Sequence, residues 1–366
     1  MSLVEDAEGV RRPNDPYAKP PEPIKHLFKY WRKTADLDLR RSSSEGVSDV
    51  FLKGPRGQDS TFEVIELTEL IPNNYKQVLM TFCGPDAVHF LPNSTGVQEQ
   101  SAAAFEVSSL PGLYVFPSLL PPHVQIALLE RLLHRDLQNP SHKTNVDLHY
   151  HVPVPSLPKD ASRGIERSPG PGSFFGQDRD SDILPKEPAV HKSITLMQML
   201  ESKLRWVTLG GQYDWTKKVY PSEVPPAFPS DIADFIKGLF PDVNPQAAIV
   251  NFYSPGDTLS VHRDVSEDCA NSLISVSIGC DALFIAGNQD GSRTSTMRLK
   301  SGDVLLMSGE SRYAWHAVPK IIPGTCPHWL EDWPGGSDTS EYQVWRGWMS
   351  NKRINLNVRQ MASSGE

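Results

Sequence analysis

The stretch T-L-S-V-H-R-D-V, residues 258–265, alternates polar and apolar side chains and includes β-branched residues, the pattern of a strand. Positions i and i+2 of a strand share a face, so His262 and Asp264 can reach one ion together. The same H-R-D letters recur at His134, Arg135 and Asp136, where they mean something else. There Ile126, Leu129, Leu133 and Leu137 fall at helical spacing behind Pro121 and Pro122, which suit a helix start. Residues i and i+2 of a helix point to roughly opposite sides, so that pair cannot chelate. Neither copy is a kinase catalytic loop: Ser141 and Cys269 stand where that loop needs Asn, and no glycine-rich loop or D-F-G accompanies them.

Further along the chain, His316 supplies a third ligand. Two imidazoles and one carboxylate form the facial triad of non-heme iron oxygenases, which leaves positions open for a bidentate co-substrate and dioxygen. Then comes R-I-N-L-N-V-R, residues 353–359, which puts Arg353, Asn355, Asn357 and Arg359 on one strand face. Four such groups facing an apolar interior need an anionic partner, and the two guanidinium groups suit carboxylates. A salt-bridged edge strand is the plainer alternative, and the upstream triad argues against it.

The short strands A-A-I-V-N-F-Y, S-L-I-S-V-S-I, D-A-L-F-I-A, T-S-T-M-R-L and D-V-L-L-M-S lie between these motifs with Gly, Asp and Ser between them. Together with 258–265 and 353–359 they predict an α+β chain with a mainly β core: a double-stranded β-helix, jelly-roll or cupin-like, with flanking N-terminal helices. Three regions are expected: a loose tail over 1–22, a helical and loop extension over 23–205 with a Pro/Gly-rich loop at 153–188, and a jelly-roll domain over 206–361. Helices are expected around 126–137, over 193–203, and from a capping Ser230 to Phe240, with a strand at 112–116.

The net charge of −8 excludes a protein coated in basic surface, so any polyanion must meet a local patch. No apolar run approaches a membrane span. Cys83, Cys269, Cys280 and Cys326 show no metal spacing and read as isolated reduced thiols. With the acidic start, this points to nucleus or cytoplasm and away from a secretory or mitochondrial route. Residues 24–34 are predicted to form a helix with Ile24, Leu27, Phe28 and Trp31 on one face and Lys25, Lys29, Arg32 and Lys33 on another. The helix reads as docked through its aromatic stripe, with phosphate contact by the basic face as the sharper alternative.

The order N-F-Y (251–253), H-R-D (262–264), G-E-S-R-Y-A-W-H (309–316) and R-I-N-L-N-V-R resembles the AlkB family of Fe(II)/2-oxoglutarate dioxygenases. L-R-W-V-T-L-G-G-Q-Y-D-W (204–215), the closing V-R-Q-M, the 24–33 helix and G-L-Y-V-F-P look most like the branch of the first animal AlkB homologue. The resemblance implies His262, Asp264 and His316 as Fe(II) ligands. It places Arg353 with Asn251 and Tyr253 on the distal carboxylate of 2-oxoglutarate, and Asn355 and Arg359 near its metal-binding end. It also implies a monomer acting on methylated bases in DNA or RNA, including tRNA, in DNA repair or tRNA modification. A histone demethylase or protein hydroxylase is the rival reading. Trp206, Tyr213 and Trp215 are candidates for an aromatic wall against a flipped base.

The chain departs from the family's pattern in three places. Asn357 stands where Thr is usual. Ser266 replaces an acidic residue of the bacterial enzyme, which puts the bacterial substrate range in doubt. The stretch from 316 to 353 is long and carries Trp329, Trp333, Trp345 and Trp348, which read as a packing cluster in preference to a lid. His328 beside Cys326 reads as a loop residue.

Overall fold

The computed structural model describes residues 15–36, 39, 50–53, 61–84, 103–155, 172–221, 223–336 and 341–362. Residues 1–14 of the expected tail and 156–171 of the expected loop lie outside the described residues. In chain order the strands are β1 (Phe62–Glu66), β2 (Ala103–Val107), β3 (Leu113–Phe116), β4 (Asp182–Ile183), β5 (Ile194–Thr195), β6 (Trp206–Gly210) and β7 (Ala247–Tyr253). They continue as β8 (Leu259–His262), β9 (Leu273–Gly279), β10 (Ala282–Gly287), β11 (Thr294–Leu299), β12 (Val304–Met307), β13 (Trp315–Ile321) and β14 (Arg353–Arg359).

Two antiparallel sheets carry the fold. The larger runs β1-β2-β3-β12-β9-β14-β7-β6 and the smaller β11-β10-β13-β8. Strands β7, β9 and β14 are buried along their whole length; β7 and β9 are mostly apolar or β-branched, whereas β14 alternates polar and apolar residues. Period-2 alternation splits the smaller sheet cleanly. Ala282, Phe284, Ala286 and Val318 enter the main core, while Leu283, Ile285, Trp315 and Ala317 face the other way.

That second face is covered by α1 (Glu22–Lys33), through Ile24, Leu27 and Trp31. Trp31 Nε1 also donates to Thr296 Oγ1 at 2.9 Å, so its one polar atom is not stranded. Glu22 sits in the first turn and Arg32 and Lys33 in the last, matching the helix dipole. The aromatic stripe therefore docks as expected, and Lys25 pairs with Glu22 at 2.8 Å.

The structure changes several local expectations. The 126–137 helix becomes α2 (Pro122–Arg131), followed by a π-helical turn over Leu132–Asp136. His134 there bonds Ser173 Oγ at 2.6 Å and stacks on Tyr342, and Asp136 is taken by Arg135 at 2.8 Å. Helix α3 (Ser230–Leu239) begins at Ser230, which makes no cap, because Pro229 occupies the capping position. The 193–203 segment is strand β5, then a capping box of Thr195 and Gln198, then a π-helical turn. The end of the Pro/Gly-rich loop is not all surface: Phe174 and Phe175 are buried. Around Phe175 pack Trp333, Trp345 and Trp348, with Trp345 Nε1 donating to the Phe175 carbonyl at 2.8 Å. These three tryptophans are a packing cluster, as the sequence suggests, and Trp329 packs partly buried against the main core.

Candidate metal and co-substrate site

His262 closes β8, and its register partner on β13 is His316. A register irregularity between His316 and Val318 sets the two imidazoles side by side, ring centroids 4.3 Å apart. Asp264 lies two residues past the end of β8, where a continuous strand was expected. Its carboxylate still converges: Oδ1 is 3.8 Å from His262 Nε2 and Oδ2 is 3.7 Å from His316 Nε2. One ligand atom from each residue lies within 4.8 Å of the others, so the three can hold one metal ion.

The tautomers are set by the backbone. His262 Nδ1 faces the Ser260 carbonyl at 2.8 Å, and His316 Nδ1 faces the Ala314 carbonyl at 3.0 Å. A carbonyl accepts, so each Nδ1 carries the proton and each Nε2 keeps its lone pair for the metal. Burial pushes His316 down to about 4, which keeps it neutral and available as a ligand. Burial alone would raise the Asp264 carboxyl, but Arg359, His316 and His262 together hold it below the usual carboxylate range. Arg359 Nη2 sits 2.9 Å from Asp264 Oδ2.

Two buried residues that the sequence reading did not single out hold the backbone of Asp264 and the arginine beside its carboxylate. Arg312 donates to the Asn271 carbonyl at 2.7 Å, to the backbone carbonyl of Asp264 at 2.8 Å and to Glu267 Oε2 at 2.9 Å. Glu267 in turn lies 3.4 Å from Arg359. Arg312 stands inside the quoted G-E-S-R-Y-A-W-H motif, and that was its only signal. Arg312→Met is expected to destabilise the fold by about 3–5 kcal/mol, since it strands the buried Glu267. It should also weaken metal binding by roughly 10- to 100-fold through the freed Asp264 backbone. Denaturant melts and Mn(II) titration measure the two effects separately.

The second half of the site is polar and dry. Arg353 is buried in β14 and donates to the Cys280 carbonyl at 3.1 Å and to Ser277 Oγ at 2.7 Å. Its register partner is Tyr253, as Asn355 is paired with Asn251. Asn355 spends its amide on Ser275 Oγ and the Val276 carbonyl. Tyr253 Oη and Arg353 Nε are buried and have no hydrogen-bond partner among the described residues. Burial raises the Tyr253 phenol well above its ordinary range, so it stays a donor. A phenol O–H and a guanidinium N–H left over together fit a carboxylate. The residues present therefore fit both Fe(II) and a dicarboxylate co-substrate.

A cavity of about 360 Å³ opens at the triad, bounded by His262, Asp264, Asn251, Arg359, Tyr213 and Trp215. Tyr213 meets Trp215 edge to face at 4.9 Å, and Tyr213 Oη lies 3.4 Å from Ser266 Oγ. Trp206 packs on Trp215 at 5.2 Å and is not among the residues that line the cavity.

Comparisons agree with this geometry. The sequence profile of the 2OG-Fe(II) oxygenase superfamily matches residues 178–359. "N6-methyladenosine RNA demethylase ALKB1" of Pyricularia oryzae is 47% identical over 74% of this chain and 80% of its own length. "tRNA demethylase abh1" of Schizosaccharomyces pombe is 38% identical over 75% of this chain and 87% of its own. "Nucleic acid dioxygenase ALKBH1" of Mus musculus is 29% identical, covering 77% and 75% respectively. With a His-Asp-His triad that can hold one metal ion and these relatives, the chain belongs to the AlkB family of 2OG-Fe(II) oxygenases and is a 2-oxoglutarate-dependent dioxygenase.

Proposed function

We propose that this enzyme demethylates methylated bases in RNA or DNA, with N6-methyladenine in an unstacked base as the foremost substrate. The observation that carries the reading is the cavity beside the triad, walled by Tyr213 and Trp215. Its volume falls in the range of small-molecule sites, roughly 300–1,000 Å³. A base rotated out of its stack would lie against that wall with its methyl group toward the metal ligands. The relatives are named as RNA and tRNA demethylases and as a nucleic-acid dioxygenase, which supports the same class.

The roles follow from position. His262, Asp264 and His316 hold Fe(II). Arg353 and Tyr253 grip the distal carboxylate of 2-oxoglutarate, Asn251 and Asn355 line its path, and Arg359 fixes Asp264 near the other end. Bound Fe(II) and 2-oxoglutarate would let dioxygen act as the oxidant: one oxygen atom would enter succinate as carbon dioxide leaves, and the other would hydroxylate the methyl group. The resulting hemiaminal loses formaldehyde to leave the free amine. We read the two facing sheets as a double-stranded β-helix, with residues 206–361 as the catalytic domain and 23–205 as an extension whose β1–β3 lengthen the larger sheet. A monomer in nucleus or cytoplasm, working in tRNA modification or DNA repair, completes the proposal.

The test is turnover on a panel of N6-methyladenine oligonucleotides, as loop, bubble and perfect duplex, beside methylated histone peptides. Succinate and formaldehyde should appear one for one, faster from loop and bubble than from duplex. Equal rates on all nucleic-acid forms would defeat the unstacked-base reading. Formaldehyde from the peptides alone would defeat nucleic acid as substrate.

A further inference from the structure

The mouth of the cavity is partly occupied by the chain's own N-terminal segment. Pro16 lines the cavity together with Lys218 and Arg263. Lys218 Nζ donates to the Pro16 carbonyl at 3.0 Å, and its ammonium lies 4.5 Å from the centre of the Tyr17 ring. Arg263, stacked over Trp315, donates through Nη2 to the Asp15 carbonyl at 3.3 Å. Tyr17 Oη donates to the Lys217 carbonyl at 3.2 Å. The segment is otherwise a single turn, closed by Tyr17 N–H to Asp15 Oδ1 and Ala18 N–H to the Asp15 carbonyl.

Lys218 is held in place with unusual care. Its φ is +56°, in the left-handed region that non-glycine residues avoid. The Asp214 carbonyl accepts its N–H at 2.7 Å, and its own carbonyl accepts Ser266 Oγ at 2.9 Å, two residues from the ligand Asp264. A surface lysine needs no such fixing. This one has its ammonium aimed across the opening through which a base would enter.

In a chain of net charge −8, a polyanion must be gripped locally. Lys218 and Arg263 stand at the place where the strand flanking a flipped base would pass. The acceptors that residues 15 and 16 offer them are peptide carbonyls, weaker acceptors than phosphate oxygens for a cation. We propose that residues 15–17 form a strap that imitates a phosphodiester backbone: its carbonyls occupy on Lys218 and Arg263 the donors that hold the phosphates on either side of the target base. Nucleic-acid binding and release of the strap are then one exchange. The inference rests on nucleic acid being the substrate.

The experiment uses the full chain and a single-stranded oligonucleotide carrying N6-methyladenine, without oxygen. Hydrogen exchange should show the Tyr17 and Ala18 amides losing protection when the oligonucleotide binds, while 216–219 gain it. The charge-neutral Tyr17→Gly variant should bind the oligonucleotide roughly 2- to 30-fold tighter, the range that loss of one cation–ring contact releases. Lys218→Gln with Arg263→Gln should remove that gain and lower the salt slope by about 1.4, two single-strand phosphate contacts. Binding that leaves the 15–18 amides as protected as before, or Tyr17→Gly binding no tighter than the parent, overturns the strap and leaves the substrate class standing. Absence of binding by both chains overturns the two together.

Discussion

Replacing His262 with alanine is expected to bring coupled formation of succinate and formaldehyde to background while the fold melts as the metal-free parent does. His262 is only partly buried and sits at the last position of β8, so its ring is not a core element. Its Nδ1 contact is to a backbone carbonyl two residues away, and losing it disturbs little else. What is lost is one of three metal ligands. The fall in metal affinity should exceed roughly 100-fold, the upper end of what removing a mere supporting residue does. Mn(II) titration followed by a product assay measures both. Turnover near the parent level would show that the converging Nε2 and carboxylate atoms are not the metal site.

Arg353→Lys is expected to weaken 2-oxoglutarate binding by about 2–4 kcal/mol, roughly 30- to 1,000-fold in Kd. An ammonium cannot reproduce the planar fork. It would also have to satisfy the Cys280 carbonyl and Ser277 Oγ that the guanidinium now bonds, leaving less for a carboxylate. Metal binding should be unchanged, because the groups that contact Arg353 in β9, β11 and the turn after β9 include no triad residue. Anaerobic titration with 2-oxoglutarate on the Fe(II)-loaded variant checks this. An unchanged Kd would mean that Tyr253 and its neighbours hold the co-substrate without Arg353.

The parts of this chain legible from sequence are those where chemistry and periodicity coincide. In 353–359, four polar groups alternate with Ile354, Leu356 and Val358, and the pleat puts one set in the site and the other in the core. The continuous apolar strands were legible for the same reason. Strand β1 was not: F-E-V-I-E is largely exposed and is a strand because β2 pairs with it, a tertiary decision. Nor could the sequence place Arg312, which holds Asp264 and Glu267 across more than forty residues with no period to mark the link. The end of β8 before Asp264 was invisible too, since no glycine, proline or other breaker in 258–265 marks the point where pairing stops. Trp206, read as part of the wall, touches Trp215 and is not among the residues that line the cavity, a distinction that aromatic character alone does not carry.

Strand β8 is the outermost strand of the smaller sheet, four residues long, paired on one side only. Its last residue, His262, is one of the proposed metal ligands, and that residue's strand partner, His316, is another. An ion held between them is therefore a clasp on the loose border of the sheet as well as a reagent. By mass action, an ion at about 100 times its Kd adds roughly 2.7 kcal/mol against unfolding. Without it, opening begins most readily at the border strand, where local unfolding exposes backbone to proteases. If these residues hold iron as proposed, the metal-free protein should be cleaved by a protease faster than the metal-loaded protein, as well as being inactive.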